Sequence, residues 1–106
     1  MVNRGEIWLV ALDPTVGSEI RRARPCLVVS PAEMHDHLRT VIVAPLTTKS
    51  HGAPFRIPVR HASKRGLILA DQIRTIDKVR LVKRLGTVSG DTLRVTLAVL
   101  REVFAD

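Results

Sequence analysis

The chain has 106 residues, 45% of them apolar, and a formal net charge of +7. That length suits one domain over residues 1–106, and the apolar content supports a packed core and argues against disorder. No apolar run approaches the roughly 20 residues of a membrane helix, and the single cysteine, Cys26, excludes an internal disulfide and a Cys-rich zinc site.

Short apolar runs separated by Gly, Pro, Ser and Asp read as successive strands. The first covers 7–12. Asp13-Pro14-Thr15-Val16-Gly17-Ser18 breaks it, and a basic loop follows to Arg24. This longest connection is where a binding loop belongs. The second strand covers 25–30, with Cys26-Leu27-Val28-Val29 apolar on both faces. Residues 31–38 suit a helical turn, with Ser30 as cap and Pro31 at the first helical position. The third strand covers 40–46. Phe55, Ile57 and Val59 then alternate with Arg56, Pro58 and Arg60, a half-exposed strand whose proline suits a sheet edge. Gly66 opens a fifth run over 67–70, and 73–76 and 83–88 read as two further short strands. Ser89 caps a final helix with Asp91 in its positive first turn. Leu93, Leu97, Leu100 and Phe104, widened by Val99 and Val103, form one helical stripe for the core. The expected fold is mainly β, antiparallel, and closed by a C-terminal helix.

Of 17 basic residues, 13 are arginine. Excess positive charge draws polyanions, and the guanidinium fork grips phosphate bidentately. Arginine-rich codon usage is the plainer source of such a bias, but a pI near 11.1 points to nucleic acid. Trp8, Phe55 and Phe104 are the only aromatic residues, too few for a base-stacking platform. A nucleic acid would therefore be held by charge and hydrogen bonds. Residues 1–6 carry no apolar core of a secretory signal, so the expected location is the cytoplasm.

If strands two and three pair antiparallel through 31–39, facing residues have numbers that total about 71. Arg24 then meets Thr47 at one edge of the sheet. The basic loop, Thr48, Lys49, Ser50 and His51 converge on that edge. A guanidinium can stabilise charge growing on a phosphate, and a threonine hydroxyl can donate to a non-bridging oxygen. RNA brings its own nucleophile, the 2′-OH, so such a site cuts RNA by positioning, charge and proton transfer without a metal. An Arg24 surface ion pair and a Thr47 that merely ends its strand are the plainer alternative.

His35 and His37, with Asp36 and Glu33, match no metal-ligand spacing and read as surface side chains. His51 and His61, in or near loops, could serve as acids or bases, and exposed polar side chains are the plainer reading. Cys26 reads as a buried small hydrophobe. Asp71 and Asp77 read as turn caps or partners of Arg74.

Several blocks resemble the MazF/PemK-type toxins of type II toxin–antitoxin systems. They are Arg4-Gly5-Glu6-Ile7-Trp8, Leu12 to Glu19, Arg24-Pro25-Cys26-Leu27-Val28-Val29-Ser30, Val43-Ala44-Pro45-Leu46-Thr47-Thr48, and Asp71-Gln72-Ile73-Arg74-Thr75-Ile76-Asp77. The resemblance implies a small SH3-like antiparallel β barrel with helices, shared with the CcdB gyrase poison. It implies a homodimeric, metal-independent, sequence-specific endoribonuclease of single-stranded RNA, mostly mRNA, with no cofactor and a MazE-like cognate antitoxin. It assigns catalysis to Arg24 and Thr47, with Thr48 as the alternative hydroxyl and Glu19 as an acid/base or loop-closing group. Arg21, Arg22, Thr48, Lys49, Gln72 and Arg74 are then the RNA-contact candidates. The shared fold keeps one alternative open, a CcdB-like toxin that binds a topoisomerase without catalysis.

Overall fold

The computed structural model describes residues 1–12, 23–49 and 52–106. Its strands are β1 (Glu6–Ala11), β2 (Ala23–Val28), β3 (Thr40–Thr47), β4 (Arg56–His61), β5 (Lys64–Leu69), β6 (Arg74–Asp77) and β7 (Leu81–Thr87). Helix α1 (Ala32–His37) joins β2 to β3, and α2 (Gly90–Val103) ends the chain. The antiparallel sheet runs β4-β5-β3-β2-β1-β7, and it curls because β3 serves two partners on one side. β6 pairs with β3 over Thr40 to Val43, and β5 pairs with it at Leu46 and Thr47. β4 is an edge strand, so Pro58 removes no ladder hydrogen bond from a sheet interior.

The β2–β3 register matches the sequence expectation. Cys26 faces Pro45, Leu27 faces Ala44 and Val28 faces Val43, each pair totalling 71. Two apolar clusters fill the opposite faces of these strands. One gathers Ile7, Leu27, Ala44, Leu46, Ile57 and Ile68, and α2 packs Val99 and Leu100 against it. The other gathers Val10, Cys26, Val28, Val41, Val43 and Ile76. Alternate residues of β2 and β3 thus enter different cores, as the strand's period of two requires.

Several local expectations change. β2 starts at Ala23 and ends at Val28, so Arg24 belongs to the strand itself. Pro31, not Ser30, holds the N-cap position of α1 and makes no side-chain cap bond. The buried Ser30 hydroxyl instead accepts from the Ile42 N–H at 2.9 Å and meets His35 Nε2 at 2.6 Å. His35 is therefore a core side chain, not a surface one, because Ser30 and the Val2 carbonyl satisfy both ring nitrogens. Phe55 falls in the turn before β4, with φ +71°, and is exposed rather than part of the inward alternation. Its carbonyl accepts from the Ala70 N–H, which fixes it there.

On α2, Ser89 accepts from the Thr92 N–H as expected of a cap. Leu93, Leu97 and Leu100 are half-buried, and Thr96 is the fully buried residue of the helix. Its hydroxyl donates to the Thr92 carbonyl at 2.8 Å, so no polar group is stranded. Phe104 lies past the helix end and is 71% exposed, outside the core stripe. Asp71 pairs with Arg56 at 3.3 Å rather than with Arg74, because β4 runs beside the 3₁₀ turn Ala70–Gln72. Hydrogen bonding from Arg56 holds the Asp71 carboxyl below its ordinary value. Asp77 caps the turn Lys78–Arg80 by accepting from the Val79 N–H.

Candidate active site

Two prolines place the site. The β2–β3 ladder stops at Cys26–Pro45. Pro45 and the neighbouring Pro25 lack the N–H that would carry it further. Beyond that point β3 keeps only β5, on its other side, while β2 keeps only β1, with Pro25 facing Leu9 and Arg24 facing Val10. The ends of β2 and β3 part, and a cavity of about 680 Å³ opens where they do. Arg24 and Thr47 both line it, beside Pro25, Leu46, Thr48 and Lys49. Val59 and Leu85 add apolar surface, and His61 and Lys64 come from the β4–β5 hairpin.

Thr47 is held from two directions. Its Oγ1 accepts from the Lys49 N–H at 3.2 Å, so its own proton remains available to an acceptor in the cavity. Gly66 of β5 packs under it: a β-carbon there would lie 2.7 Å from the Thr47 carbonyl oxygen. Arg24 is exposed, and its backbone carbonyl accepts from the buried Cys26 thiol at 3.6 Å. Burial pushes that thiol up to about 12, against the lowering pull of the Arg74 and Arg24 guanidinium charges. Cys26 is thus a neutral core side chain beneath a cationic surface, with no nucleophilic character.

The structure brings Arg24, Thr47, Thr48 and Lys49 to one cavity. Arg74 faces Val43 across β3–β6, on the face of the sheet that holds Cys26, and does not line the cavity. Gln72 sits exposed on the 3₁₀ turn, also away from the cavity. Glu19, Arg21, Arg22, Ser50 and His51 lie outside the described residues. His61 lines the cavity half-buried, and Lys64, which sequence reasoning did not single out, lines it beside His61. Its signal in the sequence is the mirrored Arg60-His61-Ala62-Ser63-Lys64-Arg65, two basic flanks around a two-residue turn. Among the described residues no three His, Cys, Asp or Glu side chains cluster as metal ligands do.

The arrangement suits an anionic, backbone-recognising chemistry. A permanent guanidinium charge and a hydroxyl donor line one partly apolar cleft. No helix among the described residues is long and apolar enough to cross a membrane.

Residues 3–104 match the family model described as the PemK-like, MazF-like toxin of type II toxin–antitoxin system. The chain is 42% identical over 90 residues to endoribonuclease PemK of Escherichia coli, spanning 79% of this chain and 68% of that protein. It is 34% identical over 95 residues to endoribonuclease toxin MazF of Escherichia coli strain K12, spanning 89% and 86%. The crystal structure of MazE-MazF (Form-II) from Deinococcus radiodurans superposes with a TM-score of 0.83 at 27% identity, over 96% of this chain and 94% of that one. These matches do not favour the CcdB-like alternative. The chain belongs to the PemK-like, MazF-like toxin family of type II toxin–antitoxin systems.

Proposed function

We propose that the protein is a metal-independent endoribonuclease that cuts single-stranded RNA, chiefly mRNA, at a short sequence motif. The observation that carries this reading is that Arg24 and Thr47 line one cavity, at the end of a β2–β3 ladder whose register is the one expected from the sequence. The names of the relatives, endoribonuclease PemK and endoribonuclease toxin MazF, support it.

The substrate's 2′-OH attacks the adjacent phosphorus, and the P–O5′ bond breaks. The products are a 2′,3′-cyclic phosphate and a free 5′-OH, and the proton lost by the 2′-OH is balanced by the one the leaving oxygen gains. Arg24 stabilises the charge that grows on the non-bridging oxygens. Its high intrinsic pKa makes charge stabilisation its first role and proton transfer a secondary one. Thr47 donates its hydroxyl proton to one of those oxygens. Glu19 is the further acid/base or loop-closing group. Thr48 and Lys49 contact the strand in the cavity, Gln72 and Arg74 contact it where it runs beyond the cavity, and Arg21 and Arg22 are further contacts.

A toxin of this family acts opposite an antitoxin, and the MazE-MazF complex supports a MazE-like partner for this chain. The protein works as a homodimer in the cytoplasm, where its mRNA substrate is. A deoxyribose at the cut position abolishes cleavage under this mechanism, and EDTA leaves it intact. EDTA-sensitive cutting of an all-DNA strand contradicts it.

A further inference from the structure

We propose that the β4–β5 hairpin tip is a second phosphate site, at which His61 and Lys64 hold a backbone phosphate next to the one being cut. The proposal rests on the ribonuclease reading above and adds a binding element to it.

Three observations carry it. First, the hairpin register makes His61 and Lys64 a direct cross-strand pair. On β4 they continue the line Ile57, Val59, His61, and on β5 the line Ile68, Gly66, Lys64. Ile57 and Ile68 are buried in the core and Val59 packs on it. By strand alternation the hairpin's inner face therefore changes from apolar to cationic as it leaves the core and enters the cavity. Directly opposed β-carbons lie about 5 Å apart, close enough for both side chains to converge on one anion. An imidazole N–H and an ammonium donate hydrogen bonds, which suits phosphate oxygens.

Second, the outer face repeats the charge. Arg60 and Arg65 are also directly opposed and both are exposed. Like charges facing each other across a ladder are destabilising. The ion pairs found among the described residues are Arg56–Asp71, Arg84–Glu6 and Arg94–Asp91, so no carboxylate of those residues neutralises the tip. A polyanion passing the cavity would do so.

Third, the tip is held in a fixed place. Ala62 and Ser63 both have positive φ, +52° and +63°, which keeps the two strands paired to their ends. Thr47 pairs with Leu67, three residues from Lys64. At about 3.3 Å per residue this sets the tip backbone roughly 10 Å from Thr47 along β5, a span covered by one nucleotide of an extended strand together with the reach of the lysine side chain.

The test uses the full-length protein, a mixed-sequence pool of 2′-O-methyl RNA for binding, and the corresponding RNA for cleavage. Kd is measured against salt for wild type, Lys64→Ala, Lys64→Gln, His61→Ala and, as a charge control on α2, Arg94→Ala, with folding checked by circular dichroism. Loss of one phosphate contact flattens the slope of log K against log salt by about 0.7 for a single strand. The proposal predicts that flattening for both Lys64 variants, with Kd and KM weakened about 5- to 10-fold and kcat changed less than about twofold, since this contact holds ground and transition states alike. His61→Ala weakens binding in the same direction, and Arg94→Ala does not. Lys64 variants that match Arg94→Ala in both Kd and slope overturn the proposal, whether or not the wild type cleaves. Wild-type protein that binds through the tip without cutting RNA upholds the phosphate site and overturns the ribonuclease reading instead.

Discussion

Gly66 lies so close beneath Thr47 that a β-carbon on it would stand 2.7 Å from the Thr47 carbonyl oxygen. β5 supplies no group to the bond-breaking step, yet it sets the position of the residue that does. The same glycine lines the cavity, so β5 can approach β3 there only without a side chain. Gly66→Ala must displace backbone, and the displaced backbone is that of Thr47. Misplacement of a reacting group by about 1 Å can cost 100-fold in rate. Gly66→Ala is expected to lower cleavage at least tenfold while circular dichroism shows the fold retained. Gly86→Ala on β7, where a β-carbon meets nothing within 4 Å, is the control and should cleave normally.

The two adjacent threonines separate on their hydroxyls. Thr47 Oγ1 already accepts from the Lys49 N–H, which directs its proton outward. Thr47→Val is therefore expected to lower kcat by about 10²- to 10³-fold, the usual cost of one donor to a developing oxyanion. Thr47→Ser keeps the hydroxyl and should retain most of the activity. Thr48→Val should change KM more than kcat. The reverse pattern, with Thr48→Val losing kcat, moves the donor one residue along the strand.

Cys26 gives a prediction in pH. Burial pushes its thiol up to about 12, above its unfolded value. The folded chain thus keeps a proton that the unfolded chain loses once pH passes about 8.5. Stability contributed by this difference is fully present below that pH and is lost as pH rises toward the folded value. Denaturant midpoints measured from pH 8 to 11 should fall more steeply for wild type than for Cys26→Ala. The same burial should make the native thiol react with iodoacetamide far more slowly at pH 8 than the unfolded thiol does.

The hairpin turn offers a stability prediction that leaves the charges untouched. Positive φ at Ala62 and Ser63 is strained for residues with a β-carbon, and Asn-Gly is the pair that such two-residue turns favour. Ala62→Asn with Ser63→Gly is expected to raise unfolding free energy by about 1 kcal/mol, read from the shift of the thermal midpoint.

Much of the site is legible in the sequence because it depends on one short-range relationship. β2 and β3 are joined by a compact helical connection, so the register follows from where that connection centres, and it sets the parted strand ends that carry Arg24 and Thr47 on one cavity. The C-terminal helix is legible for the same local reason, since the Ser89 cap and the Leu93, Leu97, Leu100 spacing are read within a few residues. What sequence reasoning missed comes from pairings between distant segments. Gly66 looks like a strand opener until β5 is laid against β3. His35 looks exposed until Ser30 and the Val2 carbonyl are seen on either side of its ring. Asp71 sits next to Arg74 in sequence and pairs with Arg56, fifteen residues away, because β4 passes its turn. Ala62-Ser63 lacks the glycine or asparagine that marks a tight hairpin, so the turn that makes Lys64 face His61 carries no local signal beyond its mirrored basic flanks.

The central claim is that Arg24 and Thr47 form a metal-independent ribonuclease site. The most direct measurement is incubation of the purified protein with mixed-sequence RNA in EDTA, followed by mapping of the 5′ ends, beside an Arg24→Ala variant of equal fold by circular dichroism. The predicted result is discrete cuts at one short motif, each leaving a 5′-OH, present for wild type and lost in the variant. Folded wild-type protein that leaves the RNA intact, or an Arg24→Ala variant that cuts as wild type does, would contradict it.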